Sequence, residues 1–124
     1  MAQIMKSNQL TFCFKYNRII TPIFFKDETP KGFIYKLQAT IYQRIDDNDD
    51  SSYINQLFRS GINKVAQKVG EEAVEVVIEA KDDNADLFKG EAADLLYHYL
   101  ILLKAKEFTL EDIEAVLKSR HKTE

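Results

Sequence analysis

Tryptophan is absent from this chain, and cysteine occurs once, at Cys13. One cysteine allows no intrachain disulfide and no cysteine-rich zinc site. That usage fits a reducing, cytoplasmic setting. Four glycines and two prolines in 124 residues leave few helix breakers. Long apolar runs are also missing. The longest, Leu95 to Leu103, contains His98 and falls far short of the roughly 20 residues a membrane span needs. No basic region followed by an apolar run and a small-residue cleavage site opens the chain, so no signal peptide is expected. Neither sign of charge dominates: 17 Lys and Arg stand against 20 Asp and Glu, for a formal net charge of -3. A general nucleic-acid-binding or membrane-surface role is therefore not indicated.

What is present reads mostly as helix. Residues 1–30 form an N-terminal extension, in which Leu10, Phe12 and Phe14 alternate with Thr11, Cys13 and Lys15 in a strand-like pattern. Residues 31–124 read as one domain. Thr29-Pro30 resembles a helix start, and Phe33, Ile34, Leu37, Ile41, Tyr42 and Ile45 place a helix near 31–46. Asp46 to Asp50 is an acidic loop without the alternating ligand spacing of a calcium loop. Ser51 or Ser52 caps a short helix, which Ser60-Gly61 ends. A long helix over 62–81 carries the stripe Ile62, Val65, Ala66, Val69, Ala73, Val76, Val77 and Ala80, within an arc of roughly 120°. A second long helix over 85–106 follows a turn whose Asp or Asn can cap it. It is apolar nearly all round after Glu91, which predicts burial on every side. Thr109 to Asp112 resembles a capping box with Asp in the Glu position, opening a last helix that ends near Arg120-His121. The expected fold is all-α, an antiparallel bundle of about five helices.

Two acidic rows interrupt these apolar helices. Glu72, Glu75 and Glu79 share a strip with Lys68 on the first long helix, and Glu71 lies nearly opposite the core stripe. Val74 and Ile78 form a second apolar patch beyond, suited to another helix or subunit. On the next helix Glu91, Asp94 and His98 recur at i, i+3 and i+7. Two such rows facing each other would converge several oxygens, the donor set that magnesium or manganese prefers. A Glu-rich face with lysines at i, i+4 fits a solvated surface as well, with pairs worth a few tenths of a kcal/mol. That reading suits Glu71, Glu75 and Glu79 better than Glu91 and Asp94, whose helix offers little solvated face. His98 reads as a hydrogen-bonded core histidine before it reads as a ligand. Tyr97 and Tyr99 read as packing residues.

The runs Gly61 to Glu72 and Gly90 to His98, with Ser52-Tyr53, Leu57-Phe58 and Arg120-His121, carry a family resemblance. Glu71-Glu72-Ala73-Val74-Glu75 with Glu91-Ala92-Ala93-Asp94 is similar to the acidic pattern of the all-α MazG-like nucleotide pyrophosphohydrolases. The longer runs resemble the phosphoribosyl-ATP pyrophosphohydrolases of histidine biosynthesis, over roughly residues 32–122. The resemblance implies magnesium-dependent hydrolysis of phosphoribosyl-ATP to phosphoribosyl-AMP and pyrophosphate. It implies Glu72, Glu75, Glu91 and Asp94 as metal ligands, with manganese an alternative ion. Glu71, Glu72 and Glu75 are then the catalytic carboxylates, Glu71 as an outer ligand or a base orienting water. Arg59, Lys64 and Lys68 are candidates for the substrate phosphates; ion pairing, Lys68 with Glu72 for instance, is the competing role. The family resemblance also implies a homodimer, and fusion to or association with a phosphoribosyl-AMP cyclohydrolase. The first 30 residues lack that enzyme's cysteine and histidine set. Two other readings stand beside this one: a house-cleaning nucleoside triphosphate pyrophosphohydrolase, and a non-enzymatic helical dimerisation module.

Overall fold

Gly32, in extended backbone, leads into the first helix, with no side chain capping it. The computed structural model describes residues 32–121. The strand-like extension and the Thr29-Pro30 start lie outside them. Among the described residues there are five helices and no strand: α1 (Phe33–Asp47), α2 (Tyr53–Arg59), α3 (Ile62–Ala80), α4 (Ala85–Ala105) and α5 (Leu110–His121). The fold is all-α. The backbone groups into two compact units, one ending at Asn48 and the other beginning at Asp49.

In the first unit, α1 buries Gln38, Ile41, Tyr42 and Ile45, one face at spacings of three and four. Asp46 and Asp47, expected in a loop, continue this helix, and Asn48 ends it with a left-handed φ of 59°. Asn is among the few side chains that adopt this region readily.

In the second unit each boundary has a local cause. The Ser52 hydroxyl accepts a hydrogen bond from Asn55 N–H at the start of α2. Gly61 joins α2 to α3 at φ 101°, a backbone conformation in which a side chain would be strained. Lys81 to Asn84 then reverses the chain, and the Asn84 carboxamide oxygen accepts from Leu87 N–H at 3.0 Å. A four-residue link leaves α3 and α4 as antiparallel neighbours, and α2 packs on both. At the end of α4, Phe108 N–H donates to Leu103 O and Glu107 N–H to Lys104 O. This is a Schellman termination with Glu107 at the left-handed position, φ 66°, where glycine is usual. The capping box is reciprocal: Thr109 N–H donates to Asp112 Oδ2 at 2.8 Å, and Asp112 N–H donates to Thr109 Oγ1.

Burial is narrower than the helical patterns predict. Of the stripe expected on α3, Val65 is fully buried and Val69, Ala73 and Val76 are half-buried, whereas Ile62, Ala66, Val77 and Ala80 are exposed. One long partner helix and one short one cover only part of a 120° stripe. On α4, His98, Leu100, Ile101 and Leu103 are buried, but Ala85 to Gly90 are exposed throughout and Leu96 is exposed too. Burial on every side therefore does not hold for this helix among the described residues, its first six residues being exposed. α5 buries no residue. No described helix is long and apolar enough to cross a membrane.

Candidate metal centre

The antiparallel hairpin decides which acids meet. Glu72 on α3 and Glu91 and Asp94 on α4 each offer a carboxylate oxygen, and these oxygens lie within 4.8 Å of one another. Glu72 is only 9% exposed, Glu91 is half-buried, and Asp94 is exposed. The expectation that α4 leaves Asp94 little solvent is thus corrected. What makes this group unusual is the convergence of three acids, not deep burial.

The electrostatics report that crowding. Partial burial, then the hydrogen bond with Glu72, then the charges of Glu72, Glu75 and Asp94 push the Glu91 carboxyl above its ordinary range. Glu75 is exposed and outside the converging set, yet close enough to act on Glu91. Further along the strip, Glu79 keeps Oε1 buried without a hydrogen-bond partner. With its pKa raised on folding, Glu91 favours the folded state only below the ordinary carboxylate range. That contribution disappears as pH rises through the raised value. At neutral pH the charged Glu91 opposes folding. Glu91→Gln should therefore raise the melting temperature of metal-free protein at pH 7, and the gain should shrink as pH falls toward 4. A thermal melt series across pH checks this; a lower melting temperature at pH 7 contradicts it.

Hard cations fit this donor set. Magnesium takes oxygen ligands at about 2.0–2.1 Å, so ligands on opposite sides stand about 4.2 Å apart. Oxygens within 4.8 Å reach that spacing through small side-chain rotations, and three protein ligands leave octahedral positions for water and phosphate. Glu72, Glu91 and Asp94 could hold such an ion, with Glu75 beside them.

The other acids and bases surround this group. Lys68 Nζ lies 3.3 Å from Glu72 Oε2 and 3.7 Å from Glu71 Oε1. Its hydrogen bond to Glu72 is the leading cause holding the Lys68 pKa above its usual value. Glu71 is exposed and outside the converging set. It accepts from Gln67 Nε2 at 2.8 Å. That bond, followed by the charges of Lys68 and Lys64, keeps its carboxyl below the ordinary range. A carboxylate so stabilised is a weak proton acceptor. Lys64 is exposed one turn before Lys68. Arg59 pairs with Asp50 across the ends of α2.

His98 does not extend the acidic row. It is buried, with Nδ1 2.8 Å from the Asp94 carbonyl oxygen and Nε2 2.9 Å from the Tyr53 hydroxyl. The core-histidine reading holds. Its link to Tyr53 had no signal in the sequence, because the two residues lie 45 positions apart.

The phosphoribosyl-ATP pyrophosphohydrolase family model matches residues 34–121. The chain belongs to that family. A histidine biosynthesis bifunctional protein HisIE from Bacteroides thetaiotaomicron is 47% identical over 96 residues, covering 77% of this chain and 47% of the relative. A phosphoribosyl-ATP pyrophosphatase from Clostridium acetobutylicum is 45% identical over 86 residues, covering 69% of this chain and 78% of the relative. Another from Clostridium novyi is 42% identical over 89 residues, covering 72% and 81%. The chain thus spans less than half the length of the bifunctional relative and most of the two pyrophosphatases. The family match contains the whole α3–α4 hairpin, and so every member of the acidic group.

Proposed function

We propose that this chain hydrolyses phosphoribosyl-ATP to phosphoribosyl-AMP and pyrophosphate, using magnesium or manganese held by Glu72, Glu91 and Asp94 with Glu75. The observation that carries this reading is the convergence of three carboxylates on one point in a chain of this family. Partial burial, the hydrogen bond with Glu72 and then the neighbouring charges raise the Glu91 pKa, as expected where three acids converge.

When bound, the metal supplies charge that offsets the phosphate oxygens in the transition state. Phosphoryl transfer demands mainly positioning and charge stabilisation from the protein. Glu72, tethered by Lys68, fixes one side of the site from α3. Glu91 and Asp94, one turn apart, fix the other from α4. Lys68, and Lys64 one turn before it, supply positive charge for the phosphates. On this reading Glu75, exposed beside the group, would accept a hydrogen bond from the attacking water, with Glu71 holding Lys68 from the outer side. Arg59 would reach substrate only by giving up Asp50.

A second copy is proposed to cover the exposed apolar face of α3, where Val74, Val77 and Ile78 stand 50–58% exposed. The bifunctional name of the longer relative supports a fused or associated cyclohydrolase acting on the product. The reaction belongs in the cytoplasm on this reading, which cell fractionation checks.

Pyrophosphate release from phosphoribosyl-ATP tests the activity against a panel of common nucleoside triphosphates, with magnesium and with excess chelator. The expected result is release dependent on metal, with kcat/KM for phosphoribosyl-ATP at least about a hundredfold above any panel member, a gap of roughly 2.7 kcal/mol. Comparable turnover across the panel would favour the house-cleaning alternative. No turnover on any substrate would favour the dimerisation module.

A further inference from the structure

Glu71 and Glu72 are adjacent on α3, so their side chains leave the helix about 100° apart. One ammonium nevertheless joins them. Lys68 Nζ lies 3.3 Å from Glu72 Oε2 and 3.7 Å from Glu71 Oε1. The other Glu71 oxygen, Oε2, accepts from Gln67 Nε2 at 2.8 Å. Each oxygen of Glu71 is thus engaged by a group from the preceding turn of its own helix. Glu72 differs. It meets Lys68 within α3 and also belongs to the group that converges with Glu91 and Asp94 of α4. A carboxylate has two oxygens and about four lone-pair positions, so Glu72 can serve an ammonium and a metal ion together.

The Lys68 and Glu72 side chains are only 28% and 12% exposed, and pairs withdrawn from solvent are screened less than surface ones. Lysine carries a compact point charge that is present at neutral pH. Two-metal hydrolytic sites set their ions about 3.5–4 Å apart, which here would recruit the neighbouring Glu71 to hold the second ion with Glu72. This chain has an ammonium against that pair of acids. A second ion bridging Glu71 and Glu72 would have to expel Lys68 from both of them.

We propose that Lys68 is a positioning residue that serves as the built-in cation of the Glu71–Glu72 pair, so that the substrate-free chain takes one divalent ion, at Glu72, Glu91 and Asp94, and keeps Glu71 off the metal. The inference rests on the cation site proposed above and fixes how many ions it holds.

Manganese is the probe, titrated into the metal-free full chain without substrate and followed by electron paramagnetic resonance. The spectrum counts bound ions and separates an isolated ion from a pair a few ångströms apart. Wild type should bind about one ion per chain, with the hyperfine-split signal of isolated manganese. Lys68→Met keeps an unbranched side chain and removes the charge; it should take a second ion, seen as spin-coupled broadening. Lys68→Arg restores a cation and should return the count to one. Glu71→Gln should leave manganese affinity within about threefold of wild type. A spin-coupled pair in wild type, a single ion in folded Lys68→Met, or a loss of affinity above about tenfold in Glu71→Gln would each overturn the proposal. The wild-type and Glu71→Gln titrations decide it even where Lys68→Met fails to fold. No manganese bound by wild type would overturn the cation site itself. One bound ion without turnover on phosphoribosyl-ATP would support the proposal and overturn only the hydrolase reading.

Discussion

Glu72→Gln is expected to lower phosphoribosyl-ATP turnover by about a hundredfold or more while leaving the helical fold intact. Altering groups that only orient a metal's ligands already costs roughly 10–100-fold in affinity or activity, so loss of a direct ligand should cost at least the upper end. Glu72 is the best choice because it is the least exposed of the three converging acids and the only one from α3. Its neutral amide keeps the shape and can still accept from Lys68. Removing one of several crowded negative charges should not unfold the hairpin. The measurement is steady-state pyrophosphate release across a magnesium titration, with circular dichroism alongside. Turnover within about fivefold of wild type at saturating magnesium would remove Glu72 from the ligand set.

Ile78→Asp should convert the proposed dimer of this 124-residue chain into a monomer. Ile78 is half exposed on α3, as are its helical neighbours Val74 and Val77. Residues four and three apart share a helix face, and an apolar face of this kind needs a cover. An unpaired carboxylate buried in such an interface costs about 3–5 kcal/mol, which weakens self-association by roughly two to three orders of magnitude. Light scattering across a concentration series reads the mass directly. A wild-type chain that stays monomeric at high concentration, or a variant that dimerises as tightly as wild type, would assign this face to a different partner.

The two predictions depend on different levels of structure. The acids were legible because helical spacing puts Glu72 in one row with Glu75 and Glu91 in another with Asp94, on two helices that a short link makes neighbours. The helix ends were legible for a similar reason. Ser52, Asn84 and the Thr109–Asp112 box act on N–H groups within three residues, so local sequence contains the whole interaction. The α3 stripe was less legible. Periodicity says which residues share a face but not how many neighbours cover it, and Val77 proved exposed where burial was expected.

By itself, then, the sequence determined that the described residues are all-α, the approximate limits of their five helices, and the acids from which a cation site can be made. These are consequences of spacing and capping, which act over one or two turns. Only the tertiary structure decided that Glu72, Glu91 and Asp94 converge while Glu75 stands beside them. It alone turned His98 away from the acidic row and onto Tyr53. These outcomes depend on the relative rotation and offset of two packed helices. A shift of one residue along a helix turns a side chain by about 100°, and no local pattern fixes that relation between separate elements.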